Sequence, residues 1–136
     1  MNPRKARILF VCVENAGRSQ MAEGFGRQYG DGRIEVFSAG EKPASAIDPY
    51  AVAVMKDVGI DISAQKPKGF YGLPVKDFDY VVTMGCQGTC PYLPAQENIA
   101  WQIDDPKGQS IEKIREIRDD IDRKVKDLIA KIPAKF

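Results

Sequence analysis

Four short apolar segments along the chain have the composition of buried β-strands. Three are nearly continuous apolar runs, and the other alternates apolar and polar residues before it reaches a glycine. β-Branched and aromatic residues, which pack well on a pleated surface, are frequent in all four. The pattern predicts strands over Arg7–Val11, Ile34–Ala39, Tyr80–Met84 and Ile99–Ile103.

Helical patterns lie between these strands. Apolar residues at steps of three and four predict a helix over Ser19–Tyr29. A second helix is predicted to begin after the N-cap residue Asp48, with Pro49 at its first position, and to end at Gly59. The segment Lys66–Pro74 is interrupted by glycine and proline, which predicts a turn or a short helix there.

The last helix has the most regular pattern. Ser110 can cap its first turn, Pro133 stops it, and the face opposite its apolar stripe is charged in both signs, as is typical of a solvated face. The apolar stripe consists of Ile111, Ile114, Ile117, Ile121, Val125, Leu128 and Ile132.

The order of these elements predicts an α/β fold. Strands that alternate with helices favour a parallel sheet with helices on both faces, and such sheets bind ligands beyond the carboxyl ends of their strands. Because Cys12 follows the first strand and Cys86 follows the third, we expect both loops to open on the same edge. The loop from Gly85 to Asn98, which also holds Cys90, has about fourteen residues, and such long loops are usually functional or mobile.

Length and composition narrow the class of protein. We expect a single domain over residues 1–136, because this length leaves little room for two. The net charge of +1 gives no indication of a nucleic-acid or membrane partner. The first apolar run is too short for a signal peptide, and no segment reaches the roughly 20 apolar residues that span a bilayer. We therefore expect a cytoplasmic protein, and a monomer, since no exposed apolar seam is evident.

The chain has three cysteines and no histidine. In a reducing compartment, cysteines are more often catalytic, redox-active or metal-binding than structural. The absence of histidine removes the commonest general base and the commonest nitrogen ligand of zinc.

The spacing Cys12-x5-Arg18, with a strand before it and a helix after it, predicts an oxyanion site. A loop of this length can curl so that its N–H groups form an anion nest, closed by the helix N terminus. Arg18 adds a planar fork for two oxygens, and Cys12 lies under the central phosphorus or arsenic atom. The positive field favours the nucleophilic thiolate without a histidine base. A carboxylate within such a loop must point outward. The loop residues are Val13, Glu14, Asn15, Ala16 and Gly17.

Three neighbouring residues support this interpretation. Asn15 and Gly17 can adopt a left-handed backbone conformation within the curl, and Ser19 could donate a hydrogen bond to the thiolate. Alternatively, Cys12 is a small buried apolar residue and Arg18 a surface residue of the helix. The strand before the loop, the helix after it and the polar residues around it favour the oxyanion site.

The stretch Val11–Phe25 resembles the active-site loop of the low-molecular-weight protein tyrosine phosphatase superfamily. Within it, the sequence is similar to the thioredoxin-coupled arsenate reductases, which share the run RSQMAEG, here Arg18–Gly24. The resemblance extends over nearly the whole chain and implies a three-layer sandwich with the sheet order 2-1-3-4. Further matching segments are "SAG" at 38–40, "DIS" at 61–63, "VVTM" at 81–84, "CP" at 90–91 and "DDP" at 104–106.

An aspartate precedes proline after the fourth predicted strand. Proline disfavours helix at the preceding residue, so Asp105 lies in a rigid extended segment. That suits a general acid held over a leaving oxygen, although a turn or helix-capping aspartate would have the same pattern. The resemblance implies that Asp105, rather than Asp104, protonates the leaving group.

Cys86 and Cys90 are four residues apart in a glycine-rich loop. They are too few ligands for zinc, and inert core cysteines suit so polar a loop poorly. A redox-active pair fits better, because one thiolate can attack a sulfur adduct and another can then resolve the disulfide. The resemblance implies a relay from Cys12 to Cys86 and then to Cys90, with reduction by thioredoxin, glutaredoxin or a small thiol. Since Gly85 precedes Cys86 and the spacing differs from the usual pattern, which of the two attacks Cys12 stays open.

Some relatives bind potassium beside the active-site loop, whereas the resemblance implies no metal or bound cofactor for catalysis. Asn15, Glu23 and Ser38 match part of the potassium site, but Lys66 and Lys68 stand where further ligands would be. A lysine ammonium could replace the ion. We therefore predict no potassium requirement.

These features favour an arsenate reductase. The alternative is a phosphatase that hydrolyses aryl phosphates through a phosphocysteine at Cys12. Two features argue against it: the segment Gly40–Ile47, expected to form one wall of the site, has no aromatic residue, and Lys107 replaces the tyrosine that commonly follows Asp-Pro in those phosphatases. A non-enzymatic oxyanion or redox sensor would leave Asp105 without a role.

Overall fold

The computed structural model describes residues 5–85 and 95–133, so Cys86 and Cys90 lie outside the described residues. No helix within these two ranges is long and apolar enough to cross a membrane. The elements in chain order are β1 (Ala6–Cys12), α1 (Arg18–Gly30), β2 (Ile34–Gly40), α2 (Pro49–Lys56), a 3-10 helix (Phe70–Gly72), β3 (Phe78–Met84), β4 (Ala95–Trp101) and α3 (Ile111–Ala130).

The four strands form one parallel sheet in the order β2-β1-β3-β4, which confirms the implied topology. Strand β1 lies inside the sheet, as its continuous apolar sequence predicts for a parallel strand buried on both faces. Its last residue, Cys12, is in register with Gly40 at the end of β2. On its other side, Val11 is in register with Thr83 of β3. The thiol therefore lies at the carboxyl edge of the sheet, where β1, β2 and β3 end together.

Helical structure lies against both faces of the sheet, but the two layers are unequal. Helices α1, α2 and α3 share one hydrophobic cluster with the face that presents Ile8 and Phe10. The opposite face, which presents Leu9 and Val11, packs against the 3-10 helix and the loop that follows it. The glycines and prolines around this 3-10 helix prevent a longer helix, because proline cannot continue the hydrogen-bond ladder.

Strand β4 begins earlier than predicted. It spans Ala95–Trp101, whereas the apolar run suggested Ile99–Ile103. Within the described ranges β4 pairs with β3 alone, as an edge strand. Its first half carries the exposed residues Gln96, Glu97 and Asn98, so its sequence lacks the apolar pattern of a buried strand. Residues 95–98, which the sequence pattern placed in the preceding loop, therefore belong to β4.

Candidate active site

The loop between β1 and α1 holds its carbonyl groups away from its centre. Four consecutive carbonyls accept hydrogen bonds of 2.8–2.9 Å, three from backbone N–H groups of the segment 42–48 and one from the side chain of Gln20. In a trans peptide the N–H points opposite to the C=O, so the N–H groups of residues 14–17 point toward the centre of the loop. Together with the N terminus of α1 they form an anion nest. The four carbonyls belong to Val13, Glu14, Asn15 and Ala16.

Asn15 and Gly17 shape this loop in different ways. Asn15 has a φ of 53°, which confirms its predicted left-handed conformation. The same prediction for Gly17 is wrong, because its φ is −126°. Close packing leaves little room for a side chain there, since a Cβ atom at Gly17 would lie 3.0 Å from Cγ of Pro106. The contact brings the segment that carries Asp105 down onto the anion nest.

Cys12 is the last residue of β1 and is 2% exposed. Its Sγ atom lies 2.9 Å from Oγ of Ser19. Because Asn15 Nδ2 donates a hydrogen bond to the same Oγ at 2.7 Å, the hydroxyl proton of Ser19 can be directed to the sulfur. The network therefore orients the Cys12 sulfur beside the anion nest.

Arg18 is the first residue of α1, and its side chain is 9% exposed. Its Nη1 atom donates a hydrogen bond of 3.2 Å to the carbonyl of Ile103, just beyond β4. Its Nη2 atom lies 3.8 Å from Oδ2 of Asp105. The guanidinium thus connects the anion nest to the Asp-Pro segment, and the structure brings Cys12, Arg18 and Asp105 to one edge of the sheet.

The two adjacent aspartates have different partners. Asp104 forms a 2.9 Å ion pair with Lys113 of α3, and this hydrogen-bonded carboxylate raises the pKa of Lys113. Asp105 accepts a hydrogen bond of 3.0 Å from the backbone N–H of Lys107 and faces Arg18 with its other oxygen. Asp104 is thus paired with a lysine of α3, whereas Asp105 lies beside the guanidinium at the anion nest. This difference in position favours Asp105 over Asp104 as the general acid.

Glu14 points out of the anion nest, as a carboxylate there must. Its oxygens each lie 3.4 Å from Nζ of Lys107, across the entrance of the site. Both side chains are well exposed, so this ion pair contributes little to the free energy of unfolding. It does neutralise the one negative charge that the loop itself carries.

An open cavity of about 1360 Å³ lies over the anion nest. It is larger than the roughly 300–1,000 Å³ of ordinary ligand pockets, so its size admits an aryl phosphate as well as a small oxyanion. Among the described residues, two aromatic side chains line it, Tyr50 at the start of α2 and Trp101 at the end of β4. Of the segment Gly40–Ile47, Ala44 lines the cavity, and the segment supplies no aromatic side chain, as its sequence shows. Tyr50 and Trp101 come from other parts of the chain.

Lys68 places a positive charge beside the loop. Its Nζ atom lies 3.6 Å from Oε1 of Glu23, 3.4 Å from Oγ of Ser38 and 3.3 Å from the carbonyl oxygen of Lys66. Its backbone N–H also donates to Oδ1 of Asn15 at 2.9 Å. The ammonium is thus surrounded by the oxygens that would otherwise attract a cation, in agreement with the predicted substitution of an ion by lysine.

The melting temperature should be insensitive to potassium in the wild type and sensitive to it in Lys68→Met. The variant leaves the buried Glu23 carboxylate with Arg27 and Ser38 as its remaining partners, and we expect a loss of about 1 kcal/mol, or about 3 °C in Tm. Potassium should recover part of this loss when it replaces sodium at constant ionic strength. Lys66→Met is the control, because only the backbone of Lys66 faces the ammonium. A wild-type Tm that rises with potassium would contradict the assignment.

Three residues of the site were not found from the sequence. Tyr50 and Trp101 reach the cavity from elements far apart in the chain. Gly40 ends β2 beside the anion nest, where a Cβ atom would lie 2.6 Å from the carbonyl oxygen of Val13. The "SAG" motif was the only signal for Gly40, and no local pattern marked the two aromatic residues.

The thiols of Cys86 and Cys90 lie outside the described residues, so the predicted pair is not located relative to Cys12. In the ranges 5–85 and 95–133, no group of three or more histidine, cysteine, aspartate or glutamate side chains could hold a metal ion.

Comparison with known proteins agrees with this geometry. Residues 7–136 match the model of the low molecular weight phosphotyrosine protein phosphatase family. The chain is 41% identical to the glutaredoxin arsenate reductase of Synechocystis sp., over 93% of this chain and 98% of that protein. A solved arsenate reductase in its phosphate-binding state superposes with a TM-score of 0.84 at 40% identity, over 94% of this chain and 99% of the other. A thioredoxin-dependent arsenate reductase from Corynebacterium glutamicum gives a TM-score of 0.75 at 36% identity, over 92% of this chain and 60% of the other. With its fold, its anion nest and these relatives in agreement, the chain belongs to the low molecular weight phosphotyrosine protein phosphatase family.

Proposed function

We propose that the protein is an arsenate reductase. The observation that carries this proposal is the anion nest built around Cys12, with Arg18 and Asp105 at its rim, in a chain about 40% identical to proteins named arsenate reductases over nearly its whole length. Arsenate is a tetrahedral oxyanion, and inward N–H groups with a planar guanidinium suit its oxygens.

The first step is attack by the Cys12 thiolate on arsenic. The sulfur–arsenic bond forms as the bond from arsenic to a hydroxyl group of hydrogen arsenate breaks, and Asp105 gives its proton to this departing hydroxyl, which leaves as water. The hydrogen bonds of the loop and Arg18 hold the remaining oxygens while negative charge shifts among them. Ser19 keeps the sulfur oriented before the attack.

The second step reduces arsenic. A loop thiolate attacks Sγ of Cys12, so a disulfide forms, the sulfur–arsenic bond breaks and its electron pair remains on arsenic, which is released as arsenite. The other loop thiol then attacks this disulfide and leaves Cys86 and Cys90 oxidised. The resemblance supports Cys86 as the first attacker and Cys90 as the second.

The cycle closes when an external dithiol reduces the pair of loop cysteines. Relatives named for thioredoxin and for glutaredoxin both occur, and we propose thioredoxin as the reductant, with glutaredoxin or a small thiol as the alternatives. A disulfide relay of this kind requires a reducing compartment, which supports a cytoplasmic location. We also propose a monomer, because no exposed apolar seam is evident in the sequence.

The aspartate of the Asp-Pro segment gives a sharp test of the first step. Asp105→Asn should lower kcat for arsenite release by about 10²-fold or more, because the departing oxygen loses its proton donor. Asp104→Asn is the matched control and should change kcat less than about twofold, since Asp104 pairs with Lys113. Equal losses in both variants would contradict the role of Asp105. Arsenite formed per enzyme is the quantity to measure.

A second candidate function is the hydrolysis of aryl phosphates. The observation that favours it is the pair of aromatic residues, Tyr50 and Trp101, on the wall of a cavity large enough for a phenyl ring. The same nest, Cys12 and Asp105 would serve it, with water hydrolysing a phosphocysteine. This activity needs neither loop cysteine, which distinguishes it from arsenate reduction.

A further inference from the structure

Gly85 lies against the guanidinium of Arg18. It follows β3 directly and has a φ of +79°. A Cβ atom built on it would lie 2.1 Å from Nη1 of Arg18 and 3.1 Å from Cζ. Such distances are far inside van der Waals contact, so no side chain can share this space with the guanidinium.

The left-handed conformation alone does not explain why glycine is needed at this position. Asn15 and Asp31 adopt similar conformations, with φ values of 53° and 47°, and both carry side chains. At Gly32, with a φ of +77°, a Cβ atom would meet nothing within 4 Å. What distinguishes Gly85 from these positions is the guanidinium beside it.

Arg18 has little freedom on its other sides. Its Nη1 atom is bonded to the carbonyl of Ile103, its Nη2 atom faces Asp105, and its side chain is 9% exposed. The guanidinium is the end of a flexible side chain, whereas the backbone of Gly85 is fixed at the end of a sheet strand. An added methyl group would therefore displace the guanidinium before it displaced the strand.

We propose that Gly85 is a positioning residue for oxyanion binding. Its missing side chain leaves the space in which the Arg18 guanidinium reaches the rim of the anion nest. The proposal depends on the proposed function in one respect, namely that the anion nest binds a tetrahedral oxyanion such as arsenate. Through this contact, the end of the strand that precedes Cys86 would influence the affinity of the anion nest for an oxyanion.

The test is a double-mutant cycle on the binding of inorganic phosphate, measured by calorimetry with the reduced full-length chain. Gly85→Ala should raise the Kd of phosphate about 10- to 100-fold, close to the effect of Arg18→Ala. In the Arg18→Ala background the glycine substitution should have no further effect on Kd, because the group that it displaces is already gone. Gly32→Ala is the matched control for backbone conformation and should leave Kd unchanged.

Two binding results would overturn the proposal: an unchanged Kd in Gly85→Ala, or losses that add in the double variant. If Gly85→Ala does not fold, the double variant decides, because removing the guanidinium removes the clash. A folded double variant supports the proposal. An unfolded double variant would overturn it, because glycine would then be needed for the backbone conformation at residue 85 and not for the guanidinium. Phosphate binding does not depend on arsenite release, so a failure of the proposed function would leave this test intact.

Discussion

Replacing Cys12 by serine should abolish arsenite release completely, even in a single turnover. The serine hydroxyl is a weak nucleophile at neutral pH, and the chain has no histidine to take its proton. Serine also cannot form the disulfide that transfers electrons to arsenic. The measurement is arsenite formed per enzyme when the fully reduced variant is mixed with excess arsenate.

Phosphate binding is the control for this variant. The N–H groups of the loop and the Arg18 guanidinium do not depend on the sulfur, so Cys12→Ser should keep its fold and still bind inorganic phosphate. If the variant released one equivalent of arsenite, another thiol would be the nucleophile and the assignment of Cys12 would be wrong.

Serine at either loop cysteine should stop catalytic turnover after at most one equivalent of arsenite. If Cys86 attacks Cys12, then Cys86→Ser retains the arsenic adduct and releases no arsenite. Cys90→Ser releases one equivalent of arsenite. The enzyme is then trapped with a disulfide between Cys12 and Cys86, which we expect thioredoxin not to reduce. Rapid-quench measurement under excess reductant distinguishes zero from one equivalent of arsenite per enzyme. If Cys86→Ser released one equivalent and Cys90→Ser none, the roles of the two cysteines would be exchanged.

Aryl phosphate hydrolysis provides the control for the loop variants. That reaction uses the anion nest, Cys12, Asp105 and water but neither loop cysteine, so any such activity should be the same in Cys86→Ser, Cys90→Ser and the wild type. Sustained release of arsenite by both serine variants would show that the relay is not required.

The α/β class was predictable because hydrophobic periodicity is strong in this chain, whereas the sheet order 2-1-3-4 was implied by the family resemblance. The isoleucine stripe of α3 and the continuous apolar sequence of β1 identified a buried helix face and an interior parallel strand. The edge strand β4 was misplaced, since one exposed side and polar residues weaken its pattern. The single-domain organisation over residues 1–136 stays a prediction.

The site was predictable where its residues are close in sequence. Cys12 and Arg18 belong to one loop, and the strand and helix around it gave their spacing a physical meaning. The left-handed conformation expected for Gly17 was wrong, and its contact with Pro106, which is distant in the chain, is seen only in the folded structure. Tyr50 reaches the cavity in the same way. Such close approaches depend on tertiary packing, which local sequence patterns do not record.

The most direct measurement is arsenite release from arsenate by the wild type, with excess thioredoxin, thioredoxin reductase and NADPH, beside a parallel assay with an aryl phosphate. An arsenate reductase should release many equivalents of arsenite per enzyme and consume one NADPH for each. If no arsenite forms while the aryl phosphate is hydrolysed without NADPH, the protein is a phosphatase and the proposed function is wrong.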